Sequence, residues 1–599
     1  MPPVPLRRGI LTVEGGLMFS KLALYTGLSA LALATLNGPA FAEEATPERL
    51  LNAATEAEAG NWLMVHRTYD ANRFSPLKEI NASNVANLKL AYAVSLGGLE
   101  PGAGGPGAME GTPLAKDGFL YVSDPWGTPY KIDVTSGKSG KIVWICDTGI
   151  DKDPSTSAIL ANRGLALWNN LVVTTLGDGR VVACDDETGD VAWENQVASE
   201  PGEGFSNAPL AVKDKILVGQ SFGDWATRGW IAALDAKTGD EVWRFYTVPE
   251  PGEPGSETWK CEEAGNPDCW KTGGAAVWVT GSYDPGSNTV YWGTGNPVPM
   301  FDPEYRPGDN LYSNSSVALD FDTGKLKWYH QYTPGDYMDY DEVGIQLLVD
   351  TKVNGEDRKV LAHFGRNGFF YTLDRTNGAF INATQYVDKL TWTDGIDPKT
   401  GLPLGYDSSK SLQEYKVGQA PRRDGRQVGN CPNIQGGVNF WPTAYNPELG
   451  IAYGAGIEGC SDMSTEGNDP ANVTPGQVFL GGNYTANGIQ KGSVFGFDVA
   501  TGKQTAKAMR PLPNDAGVLA TPDLVFTAEM DGNVVAFDAK TMDEKWSVNL
   551  GTGFKAPPMS FAVNGKQYIG ILGGSGGAPF GHDEFANNQT QSILYVFSL

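Results

Sequence analysis

The sequence predicts an all-β fold, an eight-bladed β-propeller with cap loops on one face. Three observations predict it. A segment of alternating apolar residues followed by Asp, Thr-Gly and Trp recurs along the chain. Successive tryptophans Trp144, Trp193 and Trp243 stand 49 and 50 residues apart. The stretches between copies are rich in turn formers, with 76 Gly and 38 Pro among 599 residues. A period near fifty, built of several short strands, is the sequence signature of a propeller blade.

Each copy reads as a hairpin. The alternating residues form a half-buried strand, Asp and Thr-Gly make the turn, and the next strand opens before Trp. Full copies occupy 183–193, 233–243 and 318–328, with a degraded one at 536–546 (AFDAKTMDEKW). Partial copies lie at 131–144, 372–380 and 496–505. These are seven; an eighth blade would close the ring by pairing a strand near 88–94 with one near 593–597. Long inserts at about 248–275, 380–430 and 460–478 are expected to form a cap on one face. The repeated Trp and Thr-Gly are packing and turn devices and say nothing about function. Propellers also serve as binding platforms, so the fold leaves enzyme and scaffold both open.

The net charge of −25 disfavours nucleic acid and anionic membrane surfaces. It suits a basic protein partner, although solubility alone also accounts for such a charge. The N-terminus reads as a leader over 1–42. Met18 is a candidate true start, Lys21 gives a positive n-region, 22–36 is mostly apolar or small, and Ala40-Phe41-Ala42 fits a small-x-small cleavage site. A single propeller domain over 43–599 would follow. No later run approaches the ~18 apolar residues that span a membrane. Export permits disulfides. Six cysteines allow fifteen pairings, so connectivity stays open; Cys261 with Cys269 would close one loop and Cys431 with Cys460 another. No Cys-x-x-Cys-His haem site occurs, and the four histidines are too scattered to suggest zinc.

The segments between repeats carry ordered polar motifs: Met109-Glu110-Gly111-Thr112-Pro113, Ala161-Asn162-Arg163-Gly164, Tyr291-Trp292-Gly293-Thr294-Gly295-Asn296-Pro297, Asp336-Tyr337-Met338-Asp339-Tyr340-Asp341, and Gly365-Arg366-Asn367-Gly368. On these motifs the chain resembles the pyrroloquinoline quinone (PQQ)-dependent alcohol dehydrogenases, the family of methanol, ethanol and sorbose dehydrogenases. The likeness runs from about Asn61 to the C-terminus. It implies an eight-bladed propeller with PQQ on its axis. By motif, Asp339 matches the catalytic aspartate, Arg366 the arginine at the reactive quinone oxygens, and Asn296 a metal-binding asparagine. Trp278 matches the tryptophan on which the PQQ ring stacks. Glu110, Arg163, Ser206, Ser221 and Asn439 match positions that hydrogen-bond the cofactor. The chemistry suits a flat polyanion, which wants an aromatic floor, cations and many donors. A metal with oxygen ligands would polarise the quinone, and a carboxylate would take the alcohol proton.

The departures from the family pattern matter as much. The metal-binding glutamate corresponds to Asp224, one methylene shorter. Ser157-Ala158 stand where methanol-type members have adjacent cysteines, and Ala276 replaces a hydroxyl residue. These changes point to a roomier site, for a secondary alcohol, a polyol or sugar, or a bulky alcohol rather than methanol. Asp341 follows Asp339 by two residues; in an extended segment both would face one site. With Asp224 they would supply three negative charges, as in lanthanide-using members, so the metal is a lanthanide or Ca²⁺. A solvated strand-end role for Asp341 is the alternative. Electrons would pass to a soluble cytochrome c, and the leader would place the enzyme in the periplasm. The competing class is a non-catalytic propeller scaffold. Gly219-Gln220-Ser221-Phe222-Gly223 also matches a hydrolase elbow, but it lies in a repeat-type strand with no histidine partner in view.

Overall fold

The computed structural model of the protein describes residues 43–97, 107–585 and 591–599. The leader and its cleavage site lie outside the described residues. Those described form eight antiparallel sheets of four or five strands and one short parallel pair. Seven sheets follow in chain order, as blades 1 (114–145), 2 (166–196), 3 (210–246), 4 (282–331), 5 (347–385), 6 (428–510) and 7 (519–549). Blade 8 combines Met559–Val563, Lys566–Gly573 and Ile593–Ser598 with the early strand Lys89–Ser95. In that closure Leu90 pairs with Phe597 and Val94 with Leu594. Joining the two ends in one sheet removes the free edges an open ring would expose.

Burial falls from the first strand of a blade to the last. Leu114–Lys116, Ala166–Trp168 and Leu210–Val212 are buried throughout, whereas Lys141–Ile145 and Val191–Gln196 are largely exposed. The inner strands therefore read as short, mostly apolar runs, with Lys116 paired to Asp186 as an exception, and most charge lies on the outer ones.

The repeated motif has a double purpose in the structure. Within a blade, Asp235 Oδ1 accepts the backbone N–H groups of Lys237 and Thr238 at 2.8 and 3.2 Å, and Gly239 turns the chain at φ 77°. Between blades, each tryptophan packs under the next turn. A β-carbon at Gly324 would lie 2.6 Å from Trp243 Cδ2, and Trp243 Nε1 donates to Phe321 O at 3.0 Å. Trp144 and Trp328 donate in the same way to Asp186 O and Arg375 O. The fifty-residue period is thus a blade-to-blade latch. In the degraded copy Met542 takes the glycine place at φ 59°, its buried side chain packed in an apolar cluster.

The inserts pack on one another as a cap. Lys260 N donates to Pro307 O and Gly308 N to Ser411 O, while Arg423 pairs with Asp302 at 2.7 Å. Phe301 N donates to Leu480 O. Both anticipated disulfides form, Cys261–Cys269 and Cys431–Cys460, and a third joins Cys146 of blade 1 to Cys184 of blade 2.

Candidate active site

All eleven residues singled out from the sequence line one cavity of about 390 Å³: Glu110, Arg163, Ser206, Ser221, Asp224, Trp278, Asn296, Asp339, Asp341, Arg366 and Asn439. They come from connecting segments of successive blades, so only closure of the ring assembles them. A second cavity, of about 300 Å³, gathers none of them. Its Arg375 is already paired, with Asp284 at 3.2 Å and Asp350 at 2.5 Å.

One side of the main cavity is a guanidinium platform. Arg163 Nη2 meets Glu110 Oε2 at 2.7 Å and Nη1 donates to Ser206 Oγ at 2.5 Å. The same guanidinium lies 4.9 Å from the Trp278 ring centre and 4.6 Å from that of Phe440. Ser206 N donates to Ser221 Oγ at 2.9 Å, linking the two serines. Ser221 Oγ accepts from Ser206 N and donates to Gly219 O rather than to a histidine, which removes the hydrolase reading of that segment.

The opposite side concentrates negative charge. Arg366 is 6 % exposed; its Nη2 donates to Asp339 Oδ2 at 2.7 Å, and its Nη1 pairs with Asp341 Oδ2. Nε of Arg366 donates to Ile434 O at 3.1 Å. Room for this side chain depends on Gly436, where a β-carbon would collide with it. Asp341 Oδ1 accepts the Asn296 backbone N–H, and a β-carbon at Gly295 would lie 2.6 Å from that oxygen. Burial and the neighbouring Asp341 push Asp224 up to about 7. Burial also raises Asp339 and Asp341 against the pull of Arg366, and the neighbouring Asp341 and Asp224 charges raise Asp339 further. Arg366 is held above its ordinary value because the carboxylates outweigh the cost of its burial.

The expectation of an extended segment at 339–341 is not met. Asp336 accepts Met338 N and Tyr340 N on its two oxygens, each at 3.0 Å, and this wraps the chain into a turn with Asp339 at φ 65°. Asp339 and Asp341 still face the same cavity, brought there by Arg366 rather than by strand alternation. Ile159, rather than Ser157 or Ala158, reaches the cavity from the segment that replaces the cysteine pair. Sequence reasoning did not find Trp225, Met300, Val478, Leu480 and Tyr484, which line the same cavity. The insert over 460–478 was the available signal, but nothing in its composition marks these side chains.

The residues fit a planar anion beside a cation. Arg163 Nε, Asn439 Oδ1 and Asp339 Oδ1 are buried without a protein partner. Such groups cost about 1–3 kcal/mol each unless a ligand satisfies them. Three carboxylates against one guanidinium leave excess negative charge that a cation would offset. Among the described residues no three acidic, thiol or imidazole groups are already drawn together as a metal cage; Arg366 takes two of the carboxylates instead.

Fold and cavity together define a cofactor-dependent propeller oxidoreductase. The chain matches the family model for the PQQ glucose/ethanol/alcohol dehydrogenase β-propeller domain over residues 62–387 and 506–569. It is 36% identical over 526 residues to the quinoprotein alcohol dehydrogenase PedH of Pseudomonas putida, covering 84% of each chain. It is 32% identical over 557 residues to a lanthanide-dependent methanol dehydrogenase of Methylacidiphilum fumariolicum, covering 87% of this chain and 86% of that one. A europium-containing methanol dehydrogenase superposes with a TM-score of 0.82 at 30% identity, covering 92% of this chain and 100% of that one. The protein belongs to the PQQ-dependent alcohol dehydrogenase family and is an enzyme that oxidises an alcohol with PQQ.

Proposed function

We propose that this enzyme oxidises an alcohol with a bulky apolar body, using PQQ and a trivalent lanthanide ion. One observation carries the reading: a single cavity is lined both by the polar site residues and by the large side chains of Trp225, Met300, Val478, Leu480 and Tyr484. Such a largely apolar wall favours an aromatic or branched alcohol over a sugar, whose hydroxyls would lose water without gaining partners. In this reading Trp278 is the floor beneath the cofactor, and Glu110, Arg163, Ser206, Ser221 and Asn439 hold its rim. Asp224, Asn296, Asp339 and Asp341 hold the metal. PQQ, when bound, would supply the two-electron acceptor: the hydride leaving the alcohol carbon carries both electrons of the oxidation.

The chain's own residues handle the proton and the charge. Asp339 takes the hydroxyl proton on its unpartnered Oδ1 while Oδ2 stays bonded to Arg366. Arg366 steadies developing negative charge, and the apolar wall excludes water. The third carboxylate, Asp341, supports the trivalent ion over Ca²⁺, because each added acid favours the higher charge. The likeness to a lanthanide-dependent relative and to a europium-containing structure supports the same choice.

The three disulfides support an oxidising compartment. With a proposed leader over 1–42 and the propeller over 43–599, they support a periplasmic location for the mature enzyme. A soluble cytochrome c is the proposed electron acceptor. The 599 residues hold no haem attachment motif, and a net charge of −25 steers a basic partner.

The test is reduction of an artificial dye by apo-protein supplied with PQQ and either La³⁺ or Ca²⁺, across primary, secondary, aromatic and sugar alcohols. Higher kcat/KM for aromatic or branched alcohols, with La³⁺, is expected. Preference for sugars, or activity with Ca²⁺ alone, would overturn the corresponding part of the proposal.

A further inference from the structure

Behind Arg366 lies a carboxylate that plays no part in the mechanism above. Glu342 is 0% exposed and His363 is 1% exposed. Oxygen Oε2 of Glu342 accepts twice, from His363 Nε2 at 2.8 Å and from the Arg366 backbone N–H at 3.2 Å. The ring proton sits on Nε2, because a carboxylate can only accept there. His363 Nδ1 lies 3.3 Å from both Gln346 Nε2 and Ile345 O, which fix the ring from its other side. Glu342 is itself anchored by its backbone N–H to Thr294 O at 3.1 Å, two residues before Asn296.

Gly365 makes this arrangement possible. A β-carbon there would lie 2.8 Å from Asn367 Oδ1, 2.9 Å from Glu342 Oε2 and 3.1 Å from Oε1. Those distances are too short for carbon against oxygen, so the Glu342 carboxylate and the Asn367 amide oxygen together occupy the space a side chain at 365 would fill. Gly365 is not among the glycines with positive φ, so its bareness serves the neighbour rather than the backbone. The rest of the loop is tied as well: Tyr386 Oη donates to Gly365 O at 2.6 Å and Gly437 N to Arg366 O at 3.0 Å. Of these ties, only Glu342 takes the Arg366 N–H.

We propose that Glu342 is a positioning residue for Arg366: its His363-braced carboxylate grips the Arg366 backbone and sets where the guanidinium meets the Asp339 and Asp341 carboxylates. The inference rests on the role given to Arg366 above. Misplacing a charge-stabilising group by a fraction of an ångström reduces turnover far more than binding. The acceptor geometry matters here, because one amide oxygen could take both bonds. The Oε1 atom has no hydrogen-bond partner, so an amide nitrogen in its place breaks nothing.

The experiment uses the holoenzyme reconstituted with PQQ and metal. It measures kcat, KM, the absorption of bound PQQ and thermal stability for Glu342→Gln, Glu342→Ala and Gly365→Ala. Glu342→Gln is expected to keep kcat within about threefold of wild type. Glu342→Ala and Gly365→Ala are expected to lower kcat by about tenfold or more, with KM within about twofold and PQQ still bound. A folded, PQQ-loaded Glu342→Gln that loses more than tenfold in kcat overturns the proposal, as does Gly365→Ala at wild-type kcat. Arg366→Ala separates the two claims. If Arg366→Ala turns over normally, the role of Arg366 fails and this inference with it. If Arg366→Ala is slow while Gly365→Ala and Glu342→Ala are not, only the positioning role fails.

Discussion

Replacing Asp339 by asparagine tests the proposed base with the least disturbance to its surroundings. In the native site Oδ2 accepts from Arg366 Nη2 at 2.7 Å and Oδ1 has no partner. Asparagine can keep its carbonyl oxygen on Arg366 and set its amide nitrogen where Oδ1 stood. Packing, the turn around Asp336 and the Arg366 bond are therefore retained, while the capacity to take a proton and one carboxylate charge toward the proposed metal are lost. General-base catalysis contributes typically 10²–10⁴ in rate, equivalent to about 3–5 kcal/mol of barrier. The expected kcat of Asp339→Asn is lower by that factor. Thermal stability should stay close to wild type and PQQ should still bind. The assay is dye-linked alcohol oxidation by the reconstituted holoenzyme, beside an absorption spectrum of the bound cofactor and a melting curve. A variant that keeps more than a tenth of wild-type kcat with full PQQ loading would refute Asp339 as the base. One that no longer melts like wild type would show that Asp339 holds structure as well.

Other expectations follow from the same geometry. Asp341→Ala removes one of the three carboxylates around Arg366 and should reduce activity with La³⁺ at least tenfold more than activity with Ca²⁺, read as the ratio of kcat/KM with the two ions. Trp243→Ala removes the latch against Gly324 and its bond to Phe321 O; a buried tryptophan truncation costs about 3–5 kcal/mol, visible as a lower urea midpoint. Asp515 is 5% exposed, and burial raises its carboxyl to about 6. Its folded-state value lies above the unfolded one, so the folded protein holds the extra proton and stability falls as pH rises through about 4 to 6. Asp515→Asn should flatten that slope and stabilise the protein at pH 7 by up to about 3 kcal/mol, measured as a melting temperature against pH. An unchanged slope would remove Asp515 from the account.

Much of the fold is legible because its signals are local. Trp193 and Trp243 recur at a blade's length, and Asp235 with Gly239 forms its turn from adjacent residues. Ring closure was readable too, as an eighth blade completed by pairing the early strand near 88–94 with the C-terminal strand near 593–597. The candidate site was legible only through ordered motifs. Glu110 and Asn439 are 329 positions apart in the chain, and no periodicity links them. Where local rules were applied to the site, they failed: alternation predicted Asp339 and Asp341 side by side on a strand, whereas Asp336 folds the segment into a turn. The Glu342–Gly365 relation also escaped, because a lone glycine before an arginine reads as a simple turn.

The sequence by itself determined the blade repeat, the turn chemistry and the ring closure, each of which depends on neighbours in the chain or on a repeated spacing. The eleven candidate site residues came from the likeness of ordered motifs to a known family. Tertiary structure alone decided that those eleven share one cavity, that Arg366 bridges Asp339 and Asp341, and that Trp225, Met300 and Tyr484 line the same cavity. The reason is geometric: a closed ring brings together segments from six blades at its centre, and their distances are set by sheet packing rather than by separation along the chain.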